Sequence, residues 1–195
     1  MWLTYFVSSS TKNKIEKQIL EINFNIDGLP VFSSRKTSFW TILCLVKKTV
    51  FVVALFYGTK KPTPVQEFLH EFWEELETLS KYGIVSSITT HQIVVKAFVC
   101  DAPARSFLKC IFGHTGHESC ERCLLRASWL GRVVFNSDDL FSLRISMDFD
   151  NLEYLKSSHQ IGKSPFIGMV CCISQFVLDY MHLMCLEVMK RLITF

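Results

Sequence analysis

Neither a strong charge of one sign nor an apolar run of bilayer length occurs in this chain of 195 residues, in which 21 Lys and Arg face 18 Asp and Glu. A net charge of +3 is too small to mark a polyanion-binding surface by itself, so contact with nucleic acid must be argued from where the charges fall. The longest apolar zone, Phe39 to Tyr57, is interrupted by Lys47 and Lys48. Two adjacent lysines there suit a hairpin turn between two strands, not the middle of a membrane helix. The opening Met1 to Val7 is too short for the apolar core of a secretory leader and runs on into serine and lysine. Without a leader, eight cysteines read as reduced thiols or metal ligands rather than as a disulfide framework. Internal repeats and low-complexity tracts are also missing.

What the chain does have is apolar content, 49% with 17 Phe, enough for one medium domain with a sizeable core. Residues 1–20 read as a flexible lead-in and 21–195 as the domain. Ile22, Phe24 and Ile26 alternate with Asn23, Asn25 and Asp27, the period of a strand with one buried face, which puts Asp27 on the polar side at the strand's end. Phe39 to Val46 and Val50 to Tyr57 are nearly continuous apolar runs, expected to be antiparallel central strands covered on both faces. Thr63, Pro64 and Gln66 supply an N-cap, a first-turn proline and a capping box for a helix. Val65, Phe68, Leu69, Phe72, Trp73, Leu76 and Leu79 form its buried stripe and Gly83 its C-terminal stop. A fourth strand runs from Ile93 to Asp101. The fold class is therefore α/β, in the order strand, strand, strand, helix, strand, followed by a small Cys/His knuckle at about 110–132 and a buried apolar helix at about 173–194.

That order is the one with which a ribonuclease-H-like mixed sheet begins. In such a sheet the first and fourth strands are parallel neighbours, so Asp27 and Asp101 would come together to hold Mg or Mn for chemistry on phosphodiesters. Each acid also has a plainer reading. Asp27 precedes Gly28, a common turn dipeptide, and Asp101 precedes Ala102-Pro103, where an aspartate caps a helix. Cys120 and Cys123 have the spacing of half a zinc site, to which His114 and His182 are the favoured additions and His117, Cys171 and Cys172 the alternatives. Asp179 and His182 fall at i and i+3 within an apolar helix, where they must bond each other, bind metal or line a site. Between Ala102 and Arg132 five cations face two acids. Arg105, Lys109, Arg122 and Arg126 are the candidate nucleic-acid contacts.

Taken in order, the strings Phe24-Asn25-Ile26-Asp27-Gly28-Leu29-Pro30, Tyr57-Gly58-Thr59-Lys60-Lys61-Pro62, Phe98-Val99-Cys100-Asp101-Ala102-Pro103-Ala104-Arg105, Gly113-His114-Thr115-Gly116 and Leu178-Asp179-Tyr180-Met181-His182-Leu183, with Cys120-Glu121-Arg122-Cys123, resemble the transposase-domain proteins related to the CACTA superfamily of cut-and-paste DNA transposons. The resemblance spans roughly residues 20–193. It implies a DDE-type nuclease domain with Asp27 and Asp101 as the first two catalytic acids, Mg or Mn as cofactor, Cys120 and Cys123 as the family's C-x-x-C, and Asp179 and His182 as its D-x-x-H signature. It further implies transposon-end DNA as partner, nuclear location and homo-oligomeric assembly. The third acid of such enzymes, a glutamate, lies beyond the D-x-x-H helix. Glu187, where the family has a small residue, does not replace it, so the chain as it stands is expected to be inactive. Two other readings stay open: a domesticated, non-catalytic module that binds nucleic acid or protein, and a decayed gene fragment.

Overall fold

The structure, a computed structural model, describes residues 18–32, 35–86, 89–135 and 141–194. The chain forms two compact units, Met1–Phe98 and Val99–Phe195. Most of the expected lead-in lies outside the described residues.

In the first unit, strands β1 (Gln18–Phe32), β2 (Arg35–Val46) and β3 (Thr49–Gly58) precede helix α1 (Val65–Tyr82), and β4 (Ile84–Ser86) and β5 (Thr89–Cys100) follow it. They lie side by side as β3-β2-β1-β5-β4 in a mixed sheet. β1 pairs antiparallel with β2 so that Ile22, Phe24 and Ile26 face Val46, Cys44 and Ile42. All six side chains are buried on one face, as the alternation demands. That face carries α1. Phe72 meets Phe24 edge-on at 4.9 Å, Phe98 stacks on Phe24 at 5.4 Å, and Phe68 meets Trp40 at 6.5 Å. The helix buries Val65, Leu69, Phe72, Leu76 and Leu79, worth on the order of 10 kcal/mol before conformational entropy is subtracted. Gly83 ends it at φ 70, its N–H donating to Leu79 O.

Four expectations are corrected in this unit. β1 does not stop at Asp27 but continues to Phe32, so Asp27-Gly28 is strand interior rather than a turn. β3 is not covered on both faces: it begins the strand order at the sheet's edge, and Val50, Val52, Leu55 and Tyr57 are exposed. A bulge between Ile42 and Leu43 keeps these four on one side, since it shifts the register as the alternation passes Val53. At the start of α1, Pro64 holds the cap position without a side-chain bond, because the Thr63 hydroxyl donates to Lys61 O instead of reaching the helix. A short hairpin also lies ahead of the fourth predicted strand, Ile84 pairing with His91. The Lys47-Lys48 turn is as expected, with Lys47 at φ 55.

The second unit opens with α2 (Ala102–Lys109) and contains two two-residue strands, β6 (Ser128–Trp129) and β7 (Val133–Val134), helix α3 (Ser146–Asp150), strand β8 (Phe176–Leu178) and α4 (Lys190–Thr194). Leu108, Ile111, Phe149, Tyr154, Phe166, Cys172 and Phe176 make its core. The long buried helix expected at 173–194 is not formed. Its first residues lead into β8, Met181–Met189 are wound as a π-helix ahead of α4, and Met181, Met189, Leu192 and Ile193 are exposed. Apolar residues on all sides gave no face to prefer, so the sequence could not say which side would be covered.

Candidate functional site

Asp27 stands on the sheet face opposite α1, in the row Asn23, Asn25, Asp27 set by strand alternation. Its Oδ1 accepts the Gly28 N–H at 2.7 Å. Directly across on β2 is Thr41, whose buried hydroxyl has no hydrogen-bond partner. An orphan buried hydroxyl costs about 1–3 kcal/mol unless something else meets it. Gly28 is fixed by its other cross-strand neighbour: a Cβ there would lie 2.8 Å from the Trp40 ring.

Asp101 belongs to the second unit. Its Oδ1 accepts the Ala104 N–H at 2.7 Å and so caps α2, with a proline in the first turn. The plain reading of this acid is thus present, with its second carboxylate oxygen outside that bond.

In the knuckle, Cys120 Sγ and Cys123 Sγ lie 2.9 Å apart, and the Cys123 N–H points at Cys120 Sγ from 3.3 Å. Burial would raise the Cys120 thiol, but the hydrogen bond with Cys123, the backbone N–H groups and the Arg144 charge outweigh it and hold the pKa below the ordinary thiol value. Cys123, beneath it, is raised by burial and by its neighbour. The histidines expected to join them are engaged elsewhere or exposed: His117 Nδ1 lies 2.8 Å from Ala127 O, His182 Nδ1 lies 2.5 Å from Asp179 Oδ2, and His114 is exposed. Among the described residues no group of three or more His, Cys, Asp or Glu is placed to hold a metal ion. Cys171, an alternative ligand, bonds Ser146 and the Ser174 N–H; burial would raise its thiol, but these bonds win and bring it to about 7.

The basic cluster is turned largely inward. Lys109 is 1% exposed and Arg105 7%, and the two clamp Glu121 from either side at 2.8 and 2.9 Å. Burial would raise the Glu121 carboxyl, but the two cations hold it below the ordinary value of 4.5. Burial in turn lowers the Lys109 ammonium against the opposing pull of Glu121. Arg122 donates to Phe176 O at 2.5 Å. Arg105 and Lys109, expected to meet a phosphate backbone, are therefore framework cations, because a buried charge must be paired where it stands. Arg126 alone of the four projects, with 77% of its side chain exposed.

Asp179 and His182 do bond each other, yet not as two turns of one apolar helix. Asp179 precedes the helical segment, its Oδ1 accepting the Met181 N–H at 2.9 Å. Burial would raise its carboxyl, but the His182 and Met181 bonds outweigh it and keep it low.

Sequence reading missed Arg144 and His159, which have no motif around them. Arg144 donates to Cys120 O at 2.8 Å and to Glu118 O at 3.2 Å and stacks on Tyr154, while His159 Nδ1 bonds Glu118 O at 2.6 Å. Lys60 and Lys61 entered only as part of the string Tyr57 to Pro62. They line a cleft of about 540 Å³ with Phe56 and Phe68. No family model matches this chain, and no curated protein or solved structure matches it either.

Proposed function

We propose that this chain is a transposon-derived domain of the ribonuclease-H-like DDE type, with Asp27 and Asp101 in the roles of the first two catalytic acids. The observation that carries the reading is the strand order of the first unit, β3-β2-β1-β5, the order that the resemblance implies for a ribonuclease-H-like sheet, with Asp27 on β1. The orphan Thr41 hydroxyl across from Asp27 fits a hydrated divalent ion at that carboxylate. Bound Mg or Mn would supply activation of the attacking hydroxyl and stabilisation of the leaving oxygen. The protein's own part is to hold carboxylates on a rigid strand and on a capped helix start. DNA, the partner this reading requires, would meet exposed cations such as Lys60, Lys61 and Arg126 rather than Arg105 and Lys109.

Mn²⁺ titration followed by paramagnetic resonance tests the assignment. Asp27→Asn and Asp101→Asn should each weaken Mn²⁺ binding by about tenfold or more while leaving the circular dichroism unchanged, since asparagine caps a helix as well as aspartate does. Equal Mn²⁺ binding by both variants and the parent chain, or none by any of them, would sink the catalytic assignment. The second reading, a non-catalytic interaction module, would then be favoured by the exposed row Val50, Val52, Leu55 and Tyr57.

A further inference from the structure

Cys120 and Cys123 are set against each other more closely than against any third group. Their sulfurs are 2.9 Å apart, and the turn that carries them is fixed at both ends. Arg144 Nε grips Cys120 O at 2.8 Å, and Cys123 forms a β-bridge to Leu143, with the Leu124 N–H donating to Ser142 O at 2.9 Å. Within the turn, Glu121 is locked by two cations and Arg122 by Phe176 O. We propose that this C-x-x-C is a thiol/disulfide exchange site whose substrates are small-molecule disulfides of the glutathione class, with Cys120 as the attacking and Cys123 as the resolving thiol.

The two sulfurs differ in the ways this division of labour requires. Cys120 is half-buried, and its sulfur receives the Cys123 N–H, a bond that favours the thiolate. Cys123 is 7% exposed, the more buried of the two, with Cys120 Sγ 2.9 Å from its sulfur. In the first step the Cys120 thiolate attacks one sulfur of the small disulfide. That S–S bond breaks, a mixed disulfide forms on Cys120, and one small thiolate leaves and takes up a proton. Cys123 then loses its proton and attacks Cys120 Sγ, breaking the mixed disulfide and releasing the second small thiol. The protein dithiol is oxidised by two electrons and the small disulfide is reduced to two thiols. Closing the ring needs the sulfurs to move from 2.9 Å to about 2.0 Å, within reach of side-chain rotation on a fixed turn. Among the other cysteines, Cys171 and Cys172 adjoin in the chain, but Cys171 Sγ turns to Ser146.

The whole chain is equilibrated with glutathione disulfide and glutathione in chelator, quenched by alkylation and mapped by peptide mass. The expected product is a single Cys120 to Cys123 bond. Cys123→Ser should accumulate glutathione on Cys120, and Cys120→Ser should slow glutathionylation of residue 123 by about tenfold or more. Cys171 is the internal competitor. Faster modification there than at Cys120 in the Cys123→Ser chain would overturn the proposal. So would full alkylation of Cys120 and Cys123 in the most oxidising mixture, or a zinc ion held by both thiols that blocks exchange in untreated protein. Mapping the parent chain decides the question even if a variant fails to fold.

Discussion

His159 is 0% exposed and carries a neutral ring: its Nδ1–H donates to Glu118 O, and its Nε2 is buried without a partner. Protonating Nε2 would bury a charge near Arg144 and Lys109, and burial first, then Arg144, lowers its pKa from 6.5 to about 4. A base whose pKa is lower folded than unfolded binds fewer protons when folded. Its contribution is therefore whole above pH 6.5 and drains away as the pH falls toward 4. At about 1.4 kcal/mol per unit, the loss is at most about 3 kcal/mol. Denaturant melts between pH 7 and 4 should show this slope, and His159→Asn, whose amide can keep the bond to Glu118 O, should flatten it. An unchanged slope in the variant would assign the pH dependence elsewhere. Nothing in the sequence announces this residue, because a buried neutral histidine has no spacing rule, whereas the three-residue interval of Asp179 and His182 made a bond between them one of three expectations, and it is the one formed.

Elements were legible where one face had to be buried. The α1 stripe came through at Val65, Leu69, Phe72, Leu76 and Leu79, and the hydrophobic row of β1 at Ile22, Phe24 and Ile26. What could not be read was where a strand stops when a long-range partner overrides local turn chemistry. Asp27-Gly28 looks like a turn, but Trp40, opposite on β2, is 4% exposed and occupies the space a side chain at residue 28 would need. The ring stabilises a glycine that would otherwise weaken the strand. Gly28→Ala, with its Cβ 2.8 Å from that ring, should cost about 1–3 kcal/mol by displacing the indole. Chemical melts read the loss, and a change below about 0.5 kcal/mol would mean that Trp40 yields freely.

At the scale of the whole molecule, the apolar content promised a sizeable core without saying how fully it would be covered, and both compact units leave large apolar side chains outside: Val50, Val52, Leu55 and Tyr57 in the first, Met181, Leu192 and Ile193 in the second. Composition fixes how much can be buried, not which surface is. Charge was misread for a related reason, since a run of cations looks alike from the sequence whether it faces solvent or a buried acid. Arg105, Lys109 and Glu121 bear on heredity as well as on stability. Removing Glu121 alone strands two buried cations, and Glu121→Gln should cost about 3 kcal/mol, whereas replacing all three by apolar residues of similar volume should cost far less. Paired thermal melts of the single and triple variants would measure that epistasis, and equal losses would refute it. Drift at any one of these positions is therefore selected against until the others follow, so descendants of this chain should keep the three together or exchange them as a set.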